Sequence, residues 1–427
     1  MTASAVAAIV AERSADPARL DAAVAAAARQ SKYADMLPWR PSSLSMGRAG
    51  IALLCAEMDR RSPGQGWAEA GHRHLDAAVR AVDNWDHSLF SGVAGVGFAA
   101  VLLAGGRPRY TRLLDTVDTA LEPAVERAAH RLDGANGCGV REFDLISGLT
   151  GIGAYLLTRY QSGGPGTTLI RALSALTGLL ADGGHPRRWH TPARLATGSL
   201  RDVYPDGHHN CGLAHGVAGP LALLSLAALE GVEAPGTRAA IGVTAEWLAA
   251  ARTGTPREPD WPDAVSLDPD APTHDDRMPG RAAWCYGAPG VARSLWLAGT
   301  ALDRPEWCDL AATTIRAIAR RPPETWWLAT PSFCHGRAGL LQILHRFAAD
   351  LDDPTVAAAA GTLAALVAAE YDTSAVLGVR SIEPEGVLVD HPGLLDGAPG
   401  VALALLGPPP ADDGRPPVGW DRMFLLS

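Results

Sequence analysis

The sequence has few of the features that mark several well-known functional classes. Lysine occurs once in 427 residues, as Lys32, which excludes a lysine nucleophile elsewhere in the chain. The net charge is −9 and no basic stripe is present, which argues against nucleic acid as a partner. The first twenty residues have no basic n-region, and Glu12 and Arg13 interrupt their apolar run. They do not resemble a signal peptide, and we expect a cytoplasmic protein.

A long uninterrupted apolar run is also lacking. The longest apolar stretch, 213–229, reaches about the length of a short membrane span but contains His215 and Pro220. Runs of β-branched residues are short and alanine dominates, which favours helix. In a reducing compartment the six cysteines are expected to be free or metal-bound rather than paired. These features predict a mostly helical protein without an integral membrane segment.

A Gly-x-x-Gly motif recurs seven times along the chain. Its leading glycines are 45 to 71 residues apart and are Gly47, Gly92, Gly148, Gly216, Gly287, Gly336 and Gly397. Each motif opens an apolar segment of about a dozen residues, and amphipathic segments lie between the motifs. A helix that is apolar all round must be covered on all sides. Seven apolar helices inside seven amphipathic ones meet this need, and we predict an all-α fold, an α/α toroid.

The segment after residue 352 is the clearest amphipathic one. Asp353 suits the N-cap of a helix and Pro354 its first position. Four apolar residues then fall on one helical face: Val356, Ala360, Leu363 and Val367. This pattern predicts an outer helix that packs through one side.

The repeats predict one toroid domain over residues 1–427, with residues 1–43 contributing an outer helix. Two stretches break the regularity. Residues 160–210 are rich in Gly, Pro and Arg, and residues 253–283 are rich in Pro and Asp without a helical period. We expect both to form irregular loops near the mouth of the toroid.

The two residues before each leading glycine are equivalent in a toroid and should converge on one central place. They are Ser45-Met46, Phe90-Ser91, Ile146-Ser147, Ala214-His215, Cys285-Tyr286, Cys334-His335 and Leu395-Asp396. Three consecutive repeats, the fourth to the sixth, place histidine and cysteine there, whereas the other four carry mostly small, apolar or weakly polar residues. This clustering is more specific than a lone Cys-His pair.

Cys285, Cys334 and His335 supply two thiolates and one imidazole, a ligand set typical of zinc. Three protein ligands leave an open fourth position, as catalytic zinc sites do. His215 is either the fourth ligand of a closed structural site or, as we favour, an acid/base group. The competing interpretation is a buried cysteine beside a core histidine.

The remaining cysteines and two further histidines do not occupy the two positions before a leading glycine. Cys55, Cys138, Cys211 and Cys308 are expected to be small core or loop residues. His208 and His209 are expected in a loop, with a second metal site there as the alternative.

These residues resemble the lanthionine synthetase C, or lantibiotic cyclase, family. The motifs that carry the resemblance are NCGLAHG (210–216), WCYG (284–287) and CHG (334–336). Supporting motifs are DLISGLTGIG (144–153), LLDGAPGVALALL (394–406) and the terminal WDRMFLLS. The family fold is an α/α toroid of seven inner and seven outer helices, so the resemblance implies the fold that the repeats predict.

The resemblance also implies roles for individual residues. Cys285, Cys334 and His335 match the zinc ligands, and His215 matches the acid/base histidine. Two further matches are Asp144 and Arg281, which the sequence alone does not single out. Tyr286 is an active-site candidate that shapes the cavity wall, with packing alone as the alternative.

The activity implied is zinc-dependent addition of peptide cysteine thiols to dehydroalanine or dehydrobutyrine, which forms lanthionine and methyllanthionine rings. No kinase-like or lyase-like region precedes the toroid, so the chain is expected to be a free-standing bacterial cyclase. Its partners would be a dehydrated precursor peptide, a separate dehydratase and an exporter, within a membrane-associated modification complex.

Three alternatives stay open at this point. One keeps the zinc and adds glutathione or another small thiol to dehydroamino acids. The second is prenyl transfer, in which an α/α toroid also carries a thiol-activating zinc, although its ligands include an acidic residue. The third is a non-catalytic scaffold of a peptide-modification complex.

Overall fold

The computed structural model describes residues 1–35, 38–82, 86–181, 184–196, 199–271, 280–408 and 418–427. Within these residues helix is the dominant element. The α-helices are α1 (Ala3–Ala15), α2 (Pro17–Gln30), α3 (Arg48–Arg61), α4 (Trp67–Arg80), α5 (Val93–Ala104), α6 (Thr111–Asp133), α7 (Val140–Phe143), α8 (Leu149–Gln161), α9 (Thr167–Leu180), α10 (Ser199–Val203), α11 (Ala218–Leu229), α12 (Thr237–Ala250), α13 (Ala288–Leu302), α14 (Pro305–Arg320), α15 (Arg337–Leu351), α16 (Pro354–Ala369) and α17 (Ala398–Leu406).

Three short antiparallel strand pairs accompany the helices in the described residues. The strands are β1 (His208–Asn210), β2 (Thr253–Thr255), β3 (Glu258–Asp260), β4 (Ala264–Ser266), β5 (Ser381–Glu383) and β6 (Val387–Val389). β1 pairs with β4, β2 with β3, and β5 with β6. The β1–β4 pair sets His208 opposite Ser266 and Asn210 opposite Ala264.

Seven helices begin one or two residues after the seven leading glycines. They are α3, α5, α8, α11, α13, α15 and α17. α5 and α11 are buried on nearly every side, as the all-round apolar sequence predicts. The predicted helix starts are therefore confirmed.

The leading glycines are required because backbone from the preceding loop lies against them. A Cβ atom built on any of the seven would come within 1.8 to 2.4 Å of a backbone atom. At Gly287 that atom is the carbonyl oxygen of Arg281, and Gly287 also has a φ of +105°, a conformation that L side chains rarely adopt. The motif thus allows the loop before each helix to fold onto the helix start.

The helices between the motifs pack against the apolar ones. α4 contacts α3, α9 contacts α8, and α16 contacts α15. In α16 the Asp353 side chain accepts hydrogen bonds from the N–H groups of Thr355 and Val356, and Pro354 opens the helix. The predicted cap of this helix is confirmed, and so is its buried face of Val356, Ala360, Leu363 and Val367.

The N-terminal segment contains two helices where the sequence predicts one. α1 packs against α17 and α3, whereas α2 contacts α1 and β6. Asp16 ends α1 and caps α2, because its carboxylate accepts hydrogen bonds from the N–H groups of Ala18 and Arg19. Pro17 at the first position of α2 makes the break between the two helices.

The described residues divide by internal contacts into two compact units. The first unit comprises Met1–Asp118, Leu328–Met423 and Ser427, and carries motifs one, two, six and seven. The second unit comprises Thr119–Trp327 and Phe424–Leu426, and carries motifs three to five. The single-domain organisation stays a prediction.

The stretches predicted as irregular are more ordered than expected. Residues 167–180 form α9, so the prediction of a loop is wrong there. Residues 253–266 contain β2, β3 and β4, which pair with each other or with β1. Residues 182–183, 197–198 and 272–279 of these stretches lie outside the described part of the chain.

The apolar stretch 213–229 is divided between a loop and a helix. α11 begins only at Ala218 and is 12 residues long. Among the described residues, no helix has the length and apolarity needed to cross a membrane.

Candidate active site

Backbone hydrogen bonds in the second unit join consecutive motifs. Leu145 N–H donates to the carbonyl oxygen of Ala214 at 3.1 Å. Ala214 N–H donates in turn to the carbonyl oxygen of Cys285 at 3.3 Å. The third, fourth and fifth motifs therefore lie side by side. Ala214 and Cys285 occupy equivalent positions, two residues before their glycines, whereas Leu145 lies three residues before Gly148.

The same connection occurs in the first unit. Cys334 N–H donates to Leu395 O at 3.0 Å, and Leu395 N–H donates to Ser45 O at 3.2 Å. Ser45 N–H completes the series by donating to Phe90 O at 2.9 Å. The positions two residues before the leading glycines are thus joined in series in all four motifs of the first unit, and in motifs four and five of the second.

In the second unit His215 and Asp144 form a close pair. His215 Nδ1 lies 2.6 Å from Asp144 Oδ2. Because a carboxylate can only accept, Nδ1 carries the hydrogen and donates it. The Asp144 side chain is fully buried, whereas about a third of the His215 side chain is exposed. This arrangement leaves His215 Nε2 able to exchange protons with a bound molecule.

The carboxylate of Asp144 is held in place by the start of α8. Its Oδ1 accepts hydrogen bonds from the N–H groups of Ser147 and Gly148, both at 2.8 Å. Both donors belong to the motif that opens α8, where backbone N–H groups lack helical partners. Asp144 therefore accepts hydrogen bonds from the start of α8 through Oδ1 and from His215 through Oδ2.

Tyr286 lies beside His215, with the two ring centroids 6.2 Å apart. Its hydroxyl accepts a hydrogen bond from Asn210 Nδ2 at 3.0 Å. Burial raises the pKa of the Tyr286 hydroxyl, so the group stays protonated at neutral pH. The second unit thus places an imidazole and a neutral phenol next to each other.

Cys285 immediately precedes Tyr286 in the chain, and Arg281 lies four residues before Cys285. Cys285 is buried, with 7% of its surface exposed, and its carbonyl oxygen joins the backbone series described above. Arg281 is exposed, and hydrogen bonds of its neighbours anchor its backbone. Gly280 N–H donates to Asp260 Oδ2 at 2.6 Å, and Ala282 N–H donates to Trp326 O at 3.0 Å.

In the first unit Cys334 and His335 are joined by Asp396. One potential ligand atom from each of the three lies within 4.8 Å of the others. His335 Nδ1 is 3.7 Å from Asp396 Oδ1, a buried oxygen that has no hydrogen-bond partner among the described residues. Among those residues no other group of cysteine, histidine and acidic side chains has metal-ligand spacing.

His208 and His209 both belong to β1, so the prediction that they lie in a loop is wrong. Both are buried, and β1 pairs with β4. Burial lowers the pKa of His209 to about 3, with the neighbouring histidines adding to the effect, so His209 stays neutral. Within the described residues the two do not form a group with metal-ligand spacing.

The other cysteines are structural, as predicted. Cys55, Cys138 and Cys211 are buried, and Cys308 is partly buried. Burial raises the pKa of Cys55 and of Cys138 to about 12, so their thiols are poor nucleophiles at neutral pH.

Sequence reasoning missed two polar residues of these sites. Asp396 stands at the position in motif seven that His335 has in motif six, so the register could have identified it. Asn210 lies in the NCGLAHG motif, but only its contact with Tyr286 reveals a role. That contact joins residues 76 positions apart, and no local pattern predicts it.

Comparisons with known proteins find relatives of this chain. A family model described as lanthionine synthetase C-like protein matches residues 38–424. Nisin biosynthesis protein NisC of Lactococcus lactis subsp. lactis is 27% identical over 316 residues, which are 71% of this chain and 73% of that protein.

A solved structure, nisin cyclase, is similar with a TM-score of 0.73 at 20% sequence identity, over 95% of this chain and 96% of that chain. At this identity the likeness shows the fold, and the predicted all-α fold of the α/α-toroid class is confirmed. Because the family model covers most of the sequence, the chain belongs to the lanthionine synthetase C-like family.

Proposed function

We propose that this protein is a zinc-dependent lanthipeptide cyclase. It adds cysteine thiols of a dehydrated precursor peptide to dehydroalanine or dehydrobutyrine residues of the same peptide, which closes thioether rings. The observation that carries the proposal is the His215–Asp144 pair, placed beside the Cys285-Tyr286 step in a chain of this family. The similarity to a nisin biosynthesis protein supports a lanthipeptide substrate.

The zinc ligands of this proposal are Cys285, Cys334 and His335. Two observations in the first unit fit a bound cation: the donor atoms of Cys334, His335 and Asp396 lie within 4.8 Å, and the buried Asp396 Oδ1 lacks a hydrogen-bond partner among the described residues. A buried carboxylate oxygen without a partner is costly unless a positive charge is near. When bound, zinc supplies the positive charge that keeps a thiol deprotonated at neutral pH.

Asp396 lies beside two of these ligands. Its Oδ1 is 3.7 Å from His335 Nδ1, beyond hydrogen-bond distance, so the carboxylate would offset the positive charge of a bound cation without fixing the imidazole proton. Cys285 belongs to the ligand set by the motif register and by the resemblance.

The proton transfer is assigned to His215. In the overall reaction a sulfur–carbon bond forms at Cβ, the Cα=Cβ π bond breaks, the thiol loses its proton and Cα gains one. His215 Nε2 delivers the proton to Cα, because Nδ1 is already bonded to Asp144. Asp144 keeps the imidazole in this tautomer and stabilises its protonated form.

Arg281 and Tyr286 are assigned to the charge that develops on the peptide carbonyl. Addition of sulfur at Cβ moves an electron pair towards that oxygen, and an enolate results. The exposed guanidinium of Arg281 is suited to stabilise the enolate electrostatically. The ring of Tyr286, which carries a neutral hydroxyl, lies next to that of His215, with the two centroids 6.2 Å apart.

The proposal also defines the setting of the reaction. The substrate is a precursor peptide with a leader and a dehydrated core, supplied by a separate dehydratase and passed to an exporter. We place the protein in the cytoplasm, in association with a membrane-bound modification complex.

The proposal is tested by mass spectrometry with thiol alkylation. The purified protein is mixed with zinc and with a dehydrated precursor peptide from its own gene neighbourhood. Ring closure leaves the peptide mass unchanged but removes cysteine thiols, so we expect fewer alkylated sites than in a control without protein. Full alkylation after incubation would contradict the cyclase proposal.

A parallel reaction with added glutathione separates the alternatives. Glutathione adducts on the peptide without ring closure would favour the small-thiol reaction. Neither rings nor adducts would favour the scaffold.

A further inference from the structure

Asn210 is buried and its position is fixed by its own backbone. Only 2% of its surface is exposed, and it pairs with Ala264 across β1 and β4. Its carbonyl oxygen accepts a hydrogen bond from Val217 N–H at 2.9 Å, which joins the end of β1 to the start of α11. The backbone of Asn210 is therefore fixed close to motif four, and its side chain extends from there.

The orientation of the Asn210 amide follows from its two hydrogen bonds. Gly212 N–H is a donor only, and it lies 3.0 Å from Asn210 Oδ1. The amide oxygen must face Gly212, so the NH₂ group faces Tyr286 and donates to its hydroxyl at 3.0 Å. If the amide were flipped, its NH₂ group would face the N–H of Gly212, and two donors would be in contact without an acceptor.

The Tyr286 ring is fixed on a second side by Gly212. A Cβ at position 212 would lie 2.7 Å from both Cδ1 and Cε1 of the ring, so only glycine permits this contact. The ring is thereby placed with its centroid 6.2 Å from that of His215. Asn210, Gly212 and Tyr286 are therefore packed together. The Asn210 NH₂ group donates to the phenol oxygen and so takes one of the sites at which that oxygen can accept a hydrogen bond.

We propose that Asn210 is a positioning residue for the cyclisation reaction: it makes Tyr286 a hydrogen-bond acceptor towards the protein, so that the Tyr286 hydroxyl donates a hydrogen bond to the peptide substrate. The inference rests on the proposed cyclase function. The recipient of the hydrogen bond is the carbonyl oxygen of the dehydroamino acid, which gains negative charge when sulfur bonds to Cβ. The proton that finally reaches Cα comes from His215, and Tyr286 keeps its own.

An Asn210→Asp variant separates this role from packing. Aspartate has nearly the same shape, and Oδ1 can still accept from Gly212 N–H. The second oxygen, however, can only accept, so it draws the Tyr286 hydroxyl proton to itself and removes the donor from the substrate. We expect the rate of ring formation to fall by a factor on the order of 100, as for loss of one donor to a developing oxyanion.

The test is a double-mutant cycle with Tyr286→Phe. If Asn210 acts through Tyr286, each single variant is slow and the double variant is no slower than Tyr286→Phe alone. Asn136→Asp, an exposed asparagine with the same change of charge, should keep the wild-type rate. A wild-type rate in Asn210→Asp, or a double variant slowed by the product of the two single factors, would overturn the inference.

A second measurement does not depend on turnover. The Raman Fermi doublet of tyrosine reports whether the hydroxyl accepts or donates a hydrogen bond, and subtraction of the Tyr286→Phe spectrum isolates Tyr286 from the other six tyrosines. We expect an acceptor signature in the wild type and a donor signature in Asn210→Asp. A donor signature in the wild type would overturn the inference, even if the protein closes no rings. Absence of ring formation by the wild type would instead count against the proposed function.

Discussion

In the proposed reaction His215 exchanges protons through Nε2, because its Nδ1 is hydrogen-bonded to the buried carboxylate of Asp144. Asp144 is held by two backbone N–H groups at the start of α8, so the imidazole has a fixed partner. The motif register predicts His215, since it depends on one position before a repeated glycine. It does not predict that Asp144 contacts His215, because the contact joins residues 71 positions apart. Such pairs arise only when two motifs pack together.

The first prediction at this scale compares two variants of the pair. His215→Ala removes the proton donor and should slow ring formation by a factor on the order of 100 to 10,000. Asp144→Asn keeps the shape but replaces the charged acceptor of His215 Nδ1, and it should slow the reaction in the same range. Ring formation is measured by thiol alkylation and mass spectrometry.

Both variants should retain their zinc, because neither residue is a proposed ligand. Zinc content is therefore measured on the same samples. Unchanged rates in His215→Ala would remove its catalytic role, and loss of zinc in that variant would favour the alternative in which His215 is the fourth ligand.

At the scale of elements, the glycine motif and the helix it opens can be predicted from the sequence. They can be predicted because the need for glycine arises within a short stretch of sequence: each leading glycine lies against backbone of the loop that precedes it. Helix α9 was missed because the Gly, Pro and Arg content of residues 160–210 obscures it. Its own pattern is helical, since Leu169, Ala172, Leu173 and Leu176 are buried at helical spacing. The helical spacing is evident when residues 167–180 are considered separately from the rest of the stretch.

The prediction for this scale contrasts two glycines of the first unit. In Gly336→Ala the new methyl group would lie 2.4 Å from the carbonyl oxygens of Ser332 and Thr330. Backbone must move, and we expect the free energy of unfolding to fall by about 1–3 kcal/mol. Gly361, inside α16, has no neighbouring atom within 4 Å of a built Cβ.

Gly361→Ala is the matched control. It should raise the free energy of unfolding by up to about 1 kcal/mol, because alanine favours helix over glycine. Urea unfolding followed by circular dichroism measures both changes. Equal effects of the two substitutions would contradict the close packing of the motif.

Along the chain as a whole, residues 418–427 contribute to both compact units. Trp420–Met423 belong to the first unit and Phe424–Leu426 to the second. Within the first unit, Asp421 is fully buried and accepts hydrogen bonds from Arg346 Nε at 2.6 Å and Gln342 Nε2 at 2.7 Å. Burial by itself would raise the pKa of Asp421, but the Arg346 guanidinium lowers it to about 2. The terminal segment is thus tied to α15, which motif six opens.

This ion pair predicts a pH-dependent stability. The folded pKa of Asp421 is below the unfolded value of about 3.9, so its stabilisation is present above about pH 4 and is lost as the pH falls towards 2. Asp421→Asn should lower the free energy of unfolding at pH 6 by on the order of 3 kcal/mol. The difference from wild type should shrink by pH 3. A difference in urea unfolding that is independent of pH would contradict this account.

Cys285 and Cys334, in equivalent positions of motifs five and six, are proposed to bind one zinc ion. Elemental analysis of purified protein tests this claim in the wild type and in Cys285→Ala, Cys334→Ala and Cys308→Ala. Cys308 is a partly buried cysteine outside the motifs and serves as the matched control. We predict one zinc per chain in the wild type and in Cys308→Ala, and loss of zinc in each of the other two variants. Full zinc occupancy in both Cys285→Ala and Cys334→Ala would contradict the claim.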